Sequence, residues 1–162
     1  MPDSMPLSLR ISAVEWMEWS GRPSWDFEQT LKLVPLLPEA GVDILDVSSA
    51  GITPEQKIPA DPRYQSDLAG IIRGFVHEHK IPLLIGTVGY ITSPEIAMGL
   101  LQDGRVGKNV DDHSAAPTPQ ADLAFIGRQF LREPEFVLSS ARKLGVRVQW
   151  PFQYEKANLS DA

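Results

Sequence analysis

The sequence contains no cysteine among its 162 residues. Disulfide bonds, thiolate nucleophiles and zinc–thiolate sites are therefore excluded for this chain, and a reducing compartment is compatible with it. A basic patch is also lacking, because the 15 Lys and Arg residues are scattered among 21 acidic ones and the net charge is −6. Nucleic-acid binding requires clustered basic side chains, so no nucleic-acid partner is expected.

Long hydrophobic runs are absent from the sequence as well. No apolar run approaches the roughly 20 residues that span a bilayer, and the opening residues lack the basic and apolar segments of a signal peptide. We therefore expect a soluble, cytoplasmic protein with no membrane partner. The 162 residues are enough for a single domain over 1–162, but a complete eight-stranded barrel needs about 250.

Four apolar runs have the pattern of buried parallel strands, and the intervals between them have helical patterns. The runs cover residues 7–12, 42–47, 82–88 and 121–126. Helices are expected around residues 26–36, 66–78, 93–104 and 134–144, with a polar surface loop over 105–120 and a short extended segment over 146–150. The prolines at 35 and 38 are expected to end or kink the first helix. This alternation predicts the α/β fold class.

Ligands of parallel sheets and barrels bind at the carboxyl ends of the strands. Gly89 follows the third predicted strand, and Gly127 with Arg128 follows the fourth. Glycine lets the backbone come close to a phosphate, and arginine supplies a fixed fork of donors. The pattern predicts a phosphate cradle; the alternative is that the glycines only make tight turns.

Arg10 interrupts the first apolar run. An unpaired charge is costly inside a strand of this kind, so Arg10 should meet an anion, a carboxylate or an electron-rich ring. An internal ion pair with Asp46 or Glu15 is the simpler alternative.

Histidines, an acidic segment and three tryptophans are weaker candidates for a metal or substrate site. His77 and His79 lie two residues apart on a helix and face different sides, and the segment 111–113 (Asp-Asp-His) lies in a polar loop. Both are interpreted as solvated, and no metal site is expected. Trp16, Trp19 and Trp25 surround the loop after the first strand and either line a substrate mouth or cap the fold.

Six segments, in order, resemble the second half of the Old Yellow Enzyme family of NAD(P)H:flavin oxidoreductases, most closely its thermophilic-like branch. They are LRISA at 9–13, GVDILDVSS at 41–49, GTVGYIT at 86–92, ADLAFIGR at 121–128, FLR at 130–132 and QYE at 153–155.

The resemblance implies half of a TIM (β/α)8 barrel, strands five to eight with their helices. It implies FMN as cofactor, NAD(P)H as hydride donor and an enone-type substrate whose activated alkene is reduced. By this resemblance Arg10 faces the pyrimidine edge of the flavin and Ser48 lies near the ribityl chain. Gly89, Gly127 and Arg128 match the phosphate site.

Some positions depart from the family pattern. Ala50 stands where glycine is usual, Ser8 replaces an apolar or aromatic residue, and Lys156 stands where arginine is common. The family's histidine pair and proton-donating tyrosine have no counterpart here, so no catalytic residue is assigned. The alternative to an oxidoreductase segment is a non-catalytic half-barrel that binds FMN weakly or associates with itself or another chain through open barrel edges.

Overall fold

The computed structural model describes residues 4–103 and 119–153, which form a four-stranded parallel sheet flanked by helices. The strands are β1 (Ser8–Ser12), β2 (Ile44–Ser48), β3 (Leu84–Val88) and β4 (Leu123–Phe125), and they neighbour one another in chain order. Each strand lies on one of the four predicted apolar runs. The predicted α/β class with a parallel sheet is confirmed.

Five α-helices connect or follow the strands in the described part of the chain. They are α1 (Phe27–Leu33), α2 (Tyr64–Glu78), α3 (Pro94–Met98), α4 (Arg128–Arg132) and α5 (Phe136–Lys143). The Asp26 carboxylate caps α1 by accepting the Gln29 amide at 2.8 Å, and the Ser93 hydroxyl caps α3 in the same way. These caps begin both helices close to their predicted starts.

The prolines act on the first helix as predicted. Helix α1 ends at Leu33 and continues as a 3₁₀ turn over Val34–Leu36, which includes Pro35. Residues 146–150, predicted as a short extended segment, contain no assigned helix or strand. Residues 105–118 of the predicted surface loop lie outside the described residues.

One face of the sheet is buried under the helices. Leu45, Val47 and Ile85 point to this face and are fully buried against Ile72 and Val76 of α2. Burial of each such side chain contributes about 1.5–3 kcal/mol, so this contact is the main hydrophobic core of the described region.

The opposite face of the sheet is largely open. Parallel register places Arg10, Asp46 and Gly86 next to one another on this face, and Leu84 on the same face is 49% exposed. The Phe125 ring lies over Gly86, where a Cβ would overlap it. The prediction of buried strands is therefore wrong for β1, whose first three residues are exposed, because apolar composition does not specify what covers each face.

Substitution of Gly74 by alanine is expected to raise the free energy of unfolding by about 0.5–1 kcal/mol. Gly74 lies within α2 on its exposed side, and an added Cβ meets no atom within 4 Å in the described part of the chain. Urea denaturation measures the change. Gly70→Ala is the control on the same helix, because its Cβ would overlap the Gln120 carboxamide and should cancel the gain; equal stabilisation by both variants would contradict this packing.

Candidate functional site

The carboxyl ends of the four strands meet at one edge of the sheet, and the predicted site residues lie there or just inside it. Ser48 is the last residue of β2, and Gly89 directly follows β3. Gly127 comes two residues after the end of β4, and Arg128 is the first residue of α4. Arg10 lies two residues before the end of β1. The predicted set therefore shares one edge of the sheet.

Arg10 forms an ion pair with Asp46 across β1 and β2. Its Nε donates to Asp46 Oδ2 at 2.6 Å and its Nη2 lies 2.5 Å from the same oxygen. Of the partners considered from the sequence, the carboxylate of Asp46 is the one observed, whereas Glu15 instead accepts the Trp25 amide at 2.9 Å. The Arg10 side chain is 57% exposed and that of Asp46 only 3%, so the guanidinium faces the open side while the carboxylate lies beneath it.

The second oxygen of Asp46 has no hydrogen-bond partner within the described residues. Asp46 Oδ1 is buried and unpaired, and an unsatisfied buried oxygen is costly. The negative charge therefore depends on Arg10 for its compensation.

Gln65 links the ends of β2 and β3. Its Oε1 accepts the Ser49 amide at 2.8 Å and the Ser48 hydroxyl at 3.1 Å, and its Nε2 donates to the Val88 carbonyl at 2.9 Å. The residue is only 6% exposed. Sequence reasoning missed it, although one signal was present: position 65 falls on the apolar face of α2, four residues before Ala69 in the same stripe.

The two glycines of the predicted cradle differ in what surrounds them. Gly89 has φ +109°, and a Cβ there would overlap the Gln65 Nε2 atom. Gly127 has a negative φ of −107°, and a Cβ there would meet no atom of the described residues within 4 Å. Glycine is thus required by the backbone at position 89, whereas at position 127 it borders open space.

Arg128 lies beside an aromatic group at the same edge. Its guanidinium carbon is 6.0 Å from the centre of the Tyr90 ring, at the outer limit of a cation–π contact. Among the described residues Arg128 forms no salt bridge. Burial raises the pKa of Tyr64, the neighbouring Tyr90 phenol adds to the increase, and Arg128 opposes it.

Trp16 extends this aromatic rim toward β2. Its ring centre lies 6.2 Å from that of Tyr64, and its Nε1 donates to the Ser49 hydroxyl at 3.0 Å. Trp25 donates instead to the buried Thr30 hydroxyl at 2.7 Å. The three tryptophans therefore do not act as one group, and Trp16 is the one fixed to the strand ends.

Three loops at this edge contain non-glycine residues in the left-handed region. Trp16, Ala50 and Tyr90 have φ values of 54°, 67° and 54°. Left-handed backbone costs such residues about 1–2 kcal/mol, and strain of this kind tends to cluster at functional sites. The conformation of Ala50 also explains why glycine is usual there in the predicted family.

Replacement of Arg10 by alanine is expected to lower the free energy of unfolding by about 1–3 kcal/mol, because the buried Asp46 carboxylate loses its counter-charge. The double variant Arg10→Ala/Asp46→Asn should recover part of this loss. Urea denaturation of the two variants, with Asp46→Asn alone, completes the cycle. Additive effects of the two substitutions would contradict the ion pair.

Gly89→Ala and Gly127→Ala should differ sharply in stability. Alanine at position 89 combines left-handed strain with overlap on Gln65 and is expected to cost more than about 1 kcal/mol; alanine at position 127 should change stability by less than about 0.5 kcal/mol. Thermal unfolding of the pair measures both, and similar effects would show that the two positions are not distinct.

The chain has clear relatives among known proteins. It is 34% identical to an NADH:flavin oxidoreductase of Gibberella zeae, with 96% of this chain and 35% of the relative aligned. It is 35% identical to an NADPH dehydrogenase of Halalkalibacterium halodurans, covering 95% of this chain and 38% of the relative. An NADPH dehydrogenase of Geobacillus thermodenitrificans is 36% identical over 93% of this chain and 37% of its own length.

No protein-family model matches the chain. The chain spans little more than a third of the length of these relatives, while nearly all of it aligns with them. The resemblance found in the six sequence segments is thereby confirmed: the chain belongs to the family of NADPH dehydrogenases and NADH:flavin oxidoreductases.

Proposed function

We propose that this chain is the FMN-phosphate-binding segment of an NAD(P)H-dependent oxidoreductase of the ene-reductase type, and that it supplies strands five to eight of a (β/α)8 barrel. The observation that carries the proposal is the edge formed by Gly127 and Arg128. There an arginine without a salt bridge among the described residues borders open space at the end of a parallel sheet, in a relative of proteins named for flavin and NADPH.

The phosphate of FMN pairs with Arg128. A guanidinium group suits a phosphate because it offers several donors in a plane, and Tyr90 supports it from one side. The open space at Gly127 admits phosphate oxygens close to the backbone. Gly89 contributes its tight turn, which brings the end of β3 toward the same place.

The ring end of the cofactor would lie beyond the carboxyl ends of β1 and β2, where ligands of parallel sheets and barrels bind. Following the family resemblance, Arg10 places its positive charge at the pyrimidine edge, and Asp46 holds the guanidinium in position. The residues present therefore fit the cofactor at both ends.

When bound, FMN supplies the hydride transfer from NAD(P)H to the activated alkene of an enone-type substrate. The residues of this chain bind and orient the cofactor and place charge beside it. None of them is assigned as the proton donor, so reduction of an alkene requires groups beyond this chain.

A second candidate is a non-catalytic half-barrel that associates with another copy or with a complementary half. The exposure of Leu84 on the open face and the outer edge of β1 favour this function, because open strand edges pair readily with other chains. The two candidates are compatible, because association would cover the open face of the sheet and leave the carboxyl ends of the strands accessible.

Purified wild-type chain mixed with FMN is expected to elute from gel filtration with flavin absorbance, and Arg128→Ala should weaken FMN binding at least tenfold (about 1.4 kcal/mol) through loss of a charge-assisted contact. Fluorescence titration gives the dissociation constants.

Arg132→Ala is the matched control, because Arg132 is an exposed arginine on the same helix. It should leave FMN affinity unchanged. A colourless wild-type chain, or equal losses in both variants, would contradict the phosphate site.

Leu84→Lys is expected to reduce self-association, because it places a charge on the open face of the sheet where partner chains would pack. Ile71→Lys is the control, since Ile71 is similarly exposed (55%) but lies on α2 on the other side of the sheet. Sedimentation velocity at several concentrations compares them. A monomeric wild-type chain would rule out association through this face.

A further inference from the structure

The side chain of Gln65 contacts two of the residues that are proposed to bind the cofactor. Ser48 and the turn at Gly89 lie on neighbouring strands, and Gln65 touches both: it accepts from Ser48 and fills the space beside Gly89. We propose that Gln65 is a positioning residue that makes the Ser48 hydroxyl an acceptor for a ligand hydroxyl group. The proposal rests on the proposed binding of FMN.

The orientation of the Gln65 carboxamide follows from its partners. The Ser49 amide can only donate, so the atom 2.8 Å away must be the carboxamide oxygen. The Val88 carbonyl can only accept, so the atom 2.9 Å away must be the NH₂ group. Two independent contacts thus determine which atom of the Gln65 carboxamide is the oxygen and which is the nitrogen.

The fixed orientation determines the polarity of Ser48. A hydroxyl has one hydrogen, and that of Ser48 is donated to Gln65 Oε1 at 3.1 Å. The Ser48 oxygen therefore presents only lone pairs to a ligand. While this bond is kept, the oxygen can accept from a polyol hydroxyl, whereas donation to an anionic phosphate oxygen would break the bond to Gln65.

This polarity separates the two ends of the ligand. The phosphate belongs at Arg128 and Gly127, where donors and open space are found, and a hydroxyl-bearing chain belongs at Ser48. A phosphorylated polyol carries both groups, and the ribityl phosphate of FMN, which the family resemblance places near Ser48, belongs to this class.

The position of Gln65 is rigid because its helix is anchored. Ala69, Ile72 and Val76 of α2 are buried in the core on the same face as Gln65. A carboxamide held by a packed helix keeps its hydrogen bonds without a large entropic cost on ligand binding.

The ligand arm of the experiment compares Gln65→Leu and Gln65→Glu in fluorescence titrations with FMN and with lumiflavin, which has the ring but no ribityl phosphate. Gln65→Leu should weaken FMN binding about three- to tenfold and leave lumiflavin unchanged. Gln65→Glu should weaken FMN binding at pH 8, where the carboxylate opposes the Val88 carbonyl, and recover toward wild type as the introduced carboxyl is protonated at lower pH. Wild type measured at each pH provides the reference.

Gln56→Leu is the matched control. Gln56 also holds backbone amides, those of Gly51, Ile52 and Thr53, but it has no contact with Ser48 or Val88. Its loss should leave FMN affinity and its pH dependence unchanged. A merely structural role of Gln65 would weaken the binding of FMN and of lumiflavin alike in Gln65→Leu.

The ligand-free arm measures hydrogen exchange of the Ser49 amide and the coupling between positions 65 and 89. Ser49 should be protected in wild type and in Gln65→Glu, which both keep an acceptor, and lose protection in Gln65→Leu. Gly89→Ala should be at least tenfold less destabilising, as an unfolding equilibrium constant, in a Gln65→Ala background (about 1.4 kcal/mol). If Gly89→Ala folds only in that background, the result also supports the contact.

The outcomes separate this inference from the proposed function. If wild type binds FMN and Arg128→Ala abolishes binding while Gln65→Leu binds normally, the role of Gln65 is overturned and the phosphate site stands. If the Ser49 amide behaves as expected but wild type binds no FMN, the proposed function fails and the ligand assignment at Ser48 fails with it.

Discussion

Helix α2 packs Ala69, Ile72 and Val76 against the buried face of β2 and β3, and this contact decides where the ends of those strands lie. Because the helix is fixed along its length, its first turn places Gln65 between the two strand ends. The core thus extends directly into the candidate site. A change in the packing of α2 would move the Ser48 hydroxyl and the Gly89 turn together.

The open face of the sheet, opposite this core, contains the ion pair of Arg10 and Asp46. A sheet buried on both faces would tolerate few charges, whereas here Arg10 lies partly exposed above the buried carboxylate of Asp46. The pair keeps a positive charge on a surface that is otherwise mostly apolar. A second protein chain that completes the barrel suits such a surface.

Much of the fold could be predicted from the sequence, because the strands and helix starts depend on residues close together in the chain. The four strands and the starts of α1 and α3 follow from apolar runs and from capping by Asp26 and Ser93. The exposure of β1 could not be predicted, because composition shows that a strand is apolar but not which elements cover it.

The candidate site was predictable in its residue types but not in its contacts. Glycines and an arginine after parallel strands indicate a phosphate site, yet only the backbone distinguishes the strained Gly89 from the open Gly127. Asp46, the observed partner of Arg10, was one of several partners that the sequence allowed. Gln65 forms three hydrogen bonds to residues that are distant in sequence. A single polar residue in a helical pattern does not indicate such contacts.

The central claim is that a phosphorylated flavin binds at the carboxyl ends of these strands, and hydrogen exchange of the chain with and without FMN tests it most directly. The account predicts slower exchange on FMN addition in the segments that contain residues 48–50, 86–90 and 126–130, with no change in the outer helix α5 (Phe136–Lys143). Protection confined to other segments, or no protection at saturating FMN, would contradict it.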